Sequence, residues 1–253
     1  MRPFLLAAAA AGCLAAAPLA AQGGHSAPRN ATVDAAGARE LRIHARAGIL
    51  RVVGVEGRTD VRVRGTARAR RESHLDDIEL RAEREGDRVV IEALIPERQT
   101  SWNDEMALDL VIEVPRALPL DVEDGSGAVE MRNVGALRLH DGSGEVEVLG
   151  AGGDVTIEDG SGGLEVRDVR GSVTITDGSG EIDVERVAGA LTIDEDGSGG
   201  ISARDVGGAV RVRRDGSGSI RVAEVGGDFV VDRDGSGGIS SRGVKGQVRI
   251  PRS

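Results

Sequence analysis

The chain has 253 residues, a formal net charge of −10 and 38 glycines, and its aromatic residues are Phe4, Trp102 and Phe229 alone. The acidic balance argues against nucleic acid as a partner, because phosphate binding needs a basic face. The scarcity of aromatics argues against a globular enzyme core and pocket; an interior of Val, Ile, Leu and Ala instead suits a narrow, regular cross-section.

Residues 1–21 read as a secretory signal peptide. Arg2 is a short positive region, Phe4 to Ala17 an apolar run, and "LAAQ" a small-residue cleavage site after Ala21. Cys13 is the single cysteine, so no internal disulfide forms. The apolar run continues past it, which makes it one more residue of the signal; a lipoprotein anchored through Cys13 is the alternative. No later apolar run is long enough to span a bilayer, so the mature chain is expected to be soluble, in the periplasm, secreted or at the cell surface. Residues 22–39 read as a flexible leader.

Residues 40–119 read as an N-terminal β region and cap. "AGILRVVGVEGRTDVRV" sets Leu50, Val52, Val55, Gly57, Val61 and Val63 almost in the frame of the repeat of residues 120–253. From Thr66 to Met106 the pattern changes. "IELRAEREGDRVVIEALI" reads as a hairpin about Gly86 and "RQTSWNDE" as a polar loop. Such an insertion or cap would shield the first unit of a repeat array.

Residues 120–253 carry the repeat. Asp-Gly-Ser-Gly begins at Asp124, Asp141, Asp159, Asp177, Asp196, Asp215 and Asp234, at steps of 17 to 19 residues. Apolar residues keep register with it. Five past each Asp stand Val129, Val146, Leu164, Ile182, Ile201, Ile220 and Ile239, and further apolar columns follow seven and ten past. After a Gly turn come two more columns, from Leu137 to Val248 and from Leu139 to Ile250. Spacing of two between apolar residues means a strand with one buried face. Each repeat therefore holds two short strands, neither able to bury its face alone. Stacking equivalent strands in parallel buries continuous columns. The crossovers are too short for helices. The expected fold is all-β, a parallel β-solenoid of seven coils, right-handed by the general preference of parallel crossovers. Whether its cross-section has two or three sides stays open.

A catalytic serine needs a base held by a third group. Here the Ser recurs seven times, and no other repeat has a His where His140 stands. That argues for a structural turn and against an enzyme. A polysaccharide lyase or hydrolase would need convergent acids, whereas these carboxylates are repeat positions or outward strand residues. Stacked Asp residues repel by roughly 0.9 kcal/mol per neighbouring pair at about 4.8 Å and bulk dielectric. A side-chain bond from each Asp to its own turn relieves this, and Gly supplies the positive φ of the corner. A calcium column is the alternative. No cofactor is expected. Residues 124–195 hold 16 acidic and 5 basic side chains, and residues 196–253 hold 7 acidic and 10 basic. The rod thus has an acidic middle and a basic end, where Arg211, Arg213 and Arg214 form a candidate binding tip.

The run "DGSGEIDVERVAGALTI" beside "VPRALPLDVEDGSG" resembles a bacterial family of unknown function, exported β-strand-repeat proteins that carry a provisional adhesin label. It is similar too to the auto-transporter adhesin head domain, although the Gly-Ile-Asn tripeptide of that domain is absent here. The resemblance covers about residues 40–250. It implies the solenoid fold and no catalytic residues. The expected function is a non-enzymatic exported protein that presents a repetitive surface to an unidentified envelope or surface component. The alternatives are a structural element that self-associates end to end and an envelope carbohydrate-active enzyme.

Overall fold

The computed structural model describes residues 24–96 and 105–251. Among them the N-terminal part contains β1 (His25–Asp34), β2 (Glu40–His44), β3 (Leu50–Val55), β4 (Asp60–Ala69), a short 3-10 turn (Glu72–His74), β5 (Glu79–Glu85), β6 (Arg88–Leu94) and β7 (Met106–Pro115). The repeats follow as β8 (Leu120–Asp124), β9 (Val129–Val134), β10 (Leu137–Asp141), β11 (Val146–Ala151), β12 (Val155–Asp159), β13 (Leu164–Val169), β14 (Val173–Asp177) and β15 (Ile182–Val187). They continue as β16 (Leu191–Asp196), β17 (Ile201–Val206), β18 (Val210–Val212), β19 (Ile220–Val225), β20 (Phe229–Val231), β21 (Ile239–Val244) and β22 (Val248–Arg249). The chain is a parallel β-solenoid.

Two sheets of 11 strands face each other. The first runs β1-β4-β7-β3-β9-β11-β13-β15-β17-β19-β21, the second β22-β20-β18-β16-β14-β12-β10-β8-β2-β6-β5. Alternate repeat strands fall in alternate sheets because Gly corners turn the chain after five or six residues. Equivalent residues stack without slippage: Val146 pairs with Leu164, Leu164 with Ile182, Ile182 with Ile201. The apolar columns therefore fill the space between the sheets, and Val184, Ile193 and Phe229 are fully buried. The Val or Ala ten past each Asp ends a first-sheet strand, buried from Val134 to Val225 and partly covered at Val244, and among the described residues the strands form two sheets and no third. The change from 18 to 19 residues per repeat is absorbed as an irregularity between β14 and β16, where Thr176 faces Glu195.

The hairpin about Gly86 is present as β5 and β6. Two expectations are corrected. The stretch 22–39 is not a leader throughout, because β1 pairs antiparallel with β4 over its whole length. Its inward residues include the small Ala27 and Ala31, which gave little periodic signal, and Pro28 sits where an edge strand tolerates it. Val61 and Val63 also depart from the repeat frame. They lie on β4, which pairs antiparallel with β7 within the first sheet. The first coil is instead β2 with β3, and β8 returns after the insertion to pair with β2. The loop "RQTSWNDE" lies, but for Glu105, outside the described residues, as does the signal segment.

The two ends differ. At the N-terminal end, antiparallel β1 and the β5–β6 hairpin cover the coils. Arg29 ties them by donating to the carbonyls of Ile78 (2.8 Å) and Leu75 (2.6 Å). At the other end the apolar columns surface, with Val248 and Ile250 each 48% exposed.

Candidate functional site

The Asp of Asp-Gly-Ser-Gly ends its second-sheet strand at Asp124, Asp141, Asp159, Asp177 and Asp196, whereas Asp215 and Asp234 follow the shorter β18 and β20 as isolated bridges. Asp141 stands two residues after Leu139 and four after Leu137, so it keeps the inward phase. The result is a buried ladder. Asp124, Asp141, Asp159, Asp177, Asp196 and Asp215 are 0–6% exposed, and Asp234, in the last coil, is partly covered. Neighbouring rungs are in register: Asp124, Asp141, Asp159 and Asp177 pair along the strands, and Asp196, Asp215 and Asp234 through isolated bridges.

The local turn bond exists at two rungs. The Ser161 N–H donates to Asp159 Oδ1 and the Ser179 N–H to Asp177 Oδ1, each at 3.3 Å. Among the described residues, no N–H or O–H donor pairs with either oxygen of Asp124, Asp141, Asp196 or Asp215. Burial therefore dominates their chemistry and pushes every one of these carboxyls up. Asp141 rises to about 8, with the Asp124 charge adding to burial. Asp215 rises to about 7, and Asp124 and Asp177 to about 6. Asp159 and Asp196 are raised as well. A row of carboxyls can satisfy itself by sharing protons, each protonated rung donating to an ionised neighbour. Among the described residues, no three His, Cys, Asp or Glu side chains group as a metal ion requires.

The glycines divide the corner between them. Positive φ belongs to the fourth residue of the motif, from Gly127 (133°) to Gly237 (148°), and not to the second. The second Gly is required by close approach: a Cβ on Gly178 would lie 2.3 Å from the Gly160 carbonyl oxygen. On Gly180 it would lie 1.5 Å from the Gly162 oxygen. The Ser contributes its backbone. The Gly162 N–H donates to the Ser179 carbonyl and the Gly180 N–H to the Ser198 carbonyl, each at 2.9 Å, so the coil-to-coil ladder continues through the corner.

A second column escaped the sequence reading. Asn133, Asp168, Arg186, Asp205 and Glu224, with Gly150 and Gly243, all stand nine past an Asp and all have φ between 53° and 84°. The residue type varies along the column, so only the glycines and Asn133 hinted at it.

The outward faces carry the charge. The arginines of the expected tip are 52–60% exposed at their side chains and each meets an acid: Arg211 with Asp232 (2.8 Å), Arg213 with Asp194 (3.2 Å) and Arg214 with Glu195 (3.0 Å). His140 is also outward, with Nδ1 3.5 Å from Glu158. The first sheet bears a shallow groove of about 610 Å³ lined by Glu130, Glu145, Glu147, Glu165, Glu181 and Asp183.

The chain matches no protein-family model and no curated protein. Three solved structures with provisional names are similar to it. A cell adhesion protein from Clostridium sporogenes shares 11% identity at a TM-score of 0.30, over 89% of this chain and 98% of that one. A lipid binding protein from Parabacteroides distasonis shares 16% at 0.46, over 87% and 96%. An adhesin from Bacteroides fragilis shares 14% at 0.41, over 89% and 96%.

Proposed function

We propose that the protein is an exported, non-enzymatic β-solenoid that presents a repetitive surface for adhesion or envelope binding. The observation that supports this reading is the in-register recurrence of outward side chains along both sheets. Thr156, Thr174 and Thr192, for example, stack on adjacent strands of the second sheet. Where the outward residue recurs, as in the threonine run, adjacent coils offer like contacts at even spacing, so weak contacts to a repetitive partner add up by multivalency. Export rests on the signal segment of residues 1–21. No helix among the described residues is long and apolar enough to cross a membrane.

Arg211, Arg213 and Arg214 are the proposed contact of the basic end. Their ion pairs are solvent-exposed and screened, so each guanidinium stays available to an anionic partner. In-cell cross-linking followed by mass spectrometry of the captured neighbours tests the reading, with envelope components as the expected partners. Capture of cytoplasmic neighbours alone would overturn it. The tip is tested by binding to acidic glycans at low salt, which should weaken when the three arginines are reversed in charge.

A further inference from the structure

The outward face of the first sheet is bipolar. In β9, β11, β13 and β15 and the residue preceding each, it presents Glu130, Glu145, Glu147, Glu165, Glu181, Asp183 and Glu185 against Arg132 and Arg167. Arg167 is shared among Glu165 (2.5 Å), Glu185 (3.5 Å) and Asp183 (3.7 Å). Glu145 and Glu181 have no cationic partner within 4 Å among the described residues. In β17, β19 and β21 the same positions hold Arg204, Arg221 and Arg242 with Gly200, Ser202, Ser219, Ala223, Gly238 and Ser240. Arg204 and Arg242 have no acidic partner within that distance among the described residues, and Arg221 reaches the Ser219 hydroxyl at 2.6 Å. Asp205 and Glu224 follow these positions, in the left-handed conformation that breaks the strand alternation.

We propose that this face binds a second copy of the chain, antiparallel and face to face, about a two-fold axis that lies along the strands between β15 and β17. Such an axis keeps position along the strand and inverts position along the rod. It sets β17 over the partner's β15, β19 over its β13 and β21 over its β11. Arg204 then meets Glu185, with Ser202 over Asp183. Arg221 meets Glu165, and Ala223 covers Arg167. Arg242 lies over Leu149 beside Glu147, with Ser240 over Glu147. No row places like charges opposite. By two-fold symmetry each contact is made twice. The apposed area is about 29 by 20 Å, on the order of 600 Å² per copy at about 4.8 Å per strand and 3.3 Å per residue. That falls short of the roughly 800 Å² per partner of a standard stable interface. The dimer is therefore weak, reversible and sensitive to salt.

The test is sedimentation equilibrium of the mature chain across concentration, at low and high salt. The wild type should dimerise at low salt and dissociate at high salt. Glu147→Lys with Glu165→Lys and Glu185→Lys makes the apposed face net basic, leaving Glu145, Glu181 and Asp183 as its acids. Arg204→Glu with Arg221→Glu and Arg242→Glu makes it net acidic, with Arg167 its remaining cation on the apposed strands. Each triple variant alone should lose at least about tenfold in association constant, and an equal mixture of the two should form a heterodimer. Melting curves report whether each variant is folded. The milder Arg204→Glu, rescued by Glu185→Lys in the same chain, covers the case in which a triple variant is not. A wild type that stays monomeric at low salt would overturn the proposal, as would a dimer indifferent to both triple variants or a mixture that does not associate.

Discussion

At the scale of single residues, the Asp ladder ties protonation to stability. The six buried carboxyls from Asp124 to Asp215 are raised above their ordinary values, so the folded chain binds more protons than the unfolded chain. The stability this confers is full below the ordinary carboxylate range and is lost as pH rises through about 6 to 8. Asp168 is held low by Arg186, and Glu130, despite partial burial, by Arg51 and Arg132. Those groups stay ionised between pH 5.5 and 8.5 and add nothing to the slope in this window. The melting temperature should fall from pH 5.5 to pH 8.5. Asp141→Asn should be the more stable protein at pH 8.5, by at least about 1 kcal/mol, and should flatten that slope. A flat profile in the wild type would mean that the rungs are not raised. The left-handed column makes a separate demand. Glu224→Gly removes a strained side chain that has no ion pair among the described residues, and should raise stability by about 0.5–1 kcal/mol in denaturant melts. The ladder's position could be read from the repeat, but its burial required following the alternation from Leu137 and Leu139 one step further, onto a charged residue. The left-handed column could not be read, because backbone conformation there is imposed by the corner and not by residue type.

At the scale of elements, the strand alternation carries the fold, and neighbouring residues should respond oppositely to substitution. Val184 is fully buried on β15 and Asp183 beside it faces outward, 3.7 Å from Arg167. Val184→Asp puts an unpaired charge between the sheets and should cost several kcal/mol or abolish folding. Asp183→Ala should change stability by less than about 0.5 kcal/mol, as exposed ion pairs contribute little. Equal effects in thermal melts would reject the register. At the corner, Gly180→Ala should be strongly destabilising through the clash with Gly162, whereas Ser179→Ala should be nearly neutral, since the serine works through its carbonyl. The repeat strands were legible because one pattern recurs seven times. The strands of the N-terminal cap were less so. β1 buries small alanines, and β4 reads like a repeat strand but pairs antiparallel, a choice set by its partner β7 rather than by its own residues.

At the scale of the whole molecule, the account requires a rod whose equivalent positions are evenly spaced along one axis. Export adds an expectation of its own: N-terminal sequencing of the mature protein should begin at Gln22, and a lipidated Cys13 at the terminus would contradict it. The rod itself is tested most directly by spin-label distances on the second sheet's outward column, where Asp121, Arg138, Thr156, Thr174, Thr192, Arg211, Val230 and Arg249 follow one another strand by strand. With one label at Arg249 and the other at Thr156, Arg138 or Asp121, the labels are five, six and seven strands apart. Electron-electron double resonance should give about 24, 29 and 34 Å, a constant increment of about 4.8 Å per coil. Distances that cluster, or that change unevenly from one coil to the next, would contradict the stacked solenoid and the repetitive surface built on it.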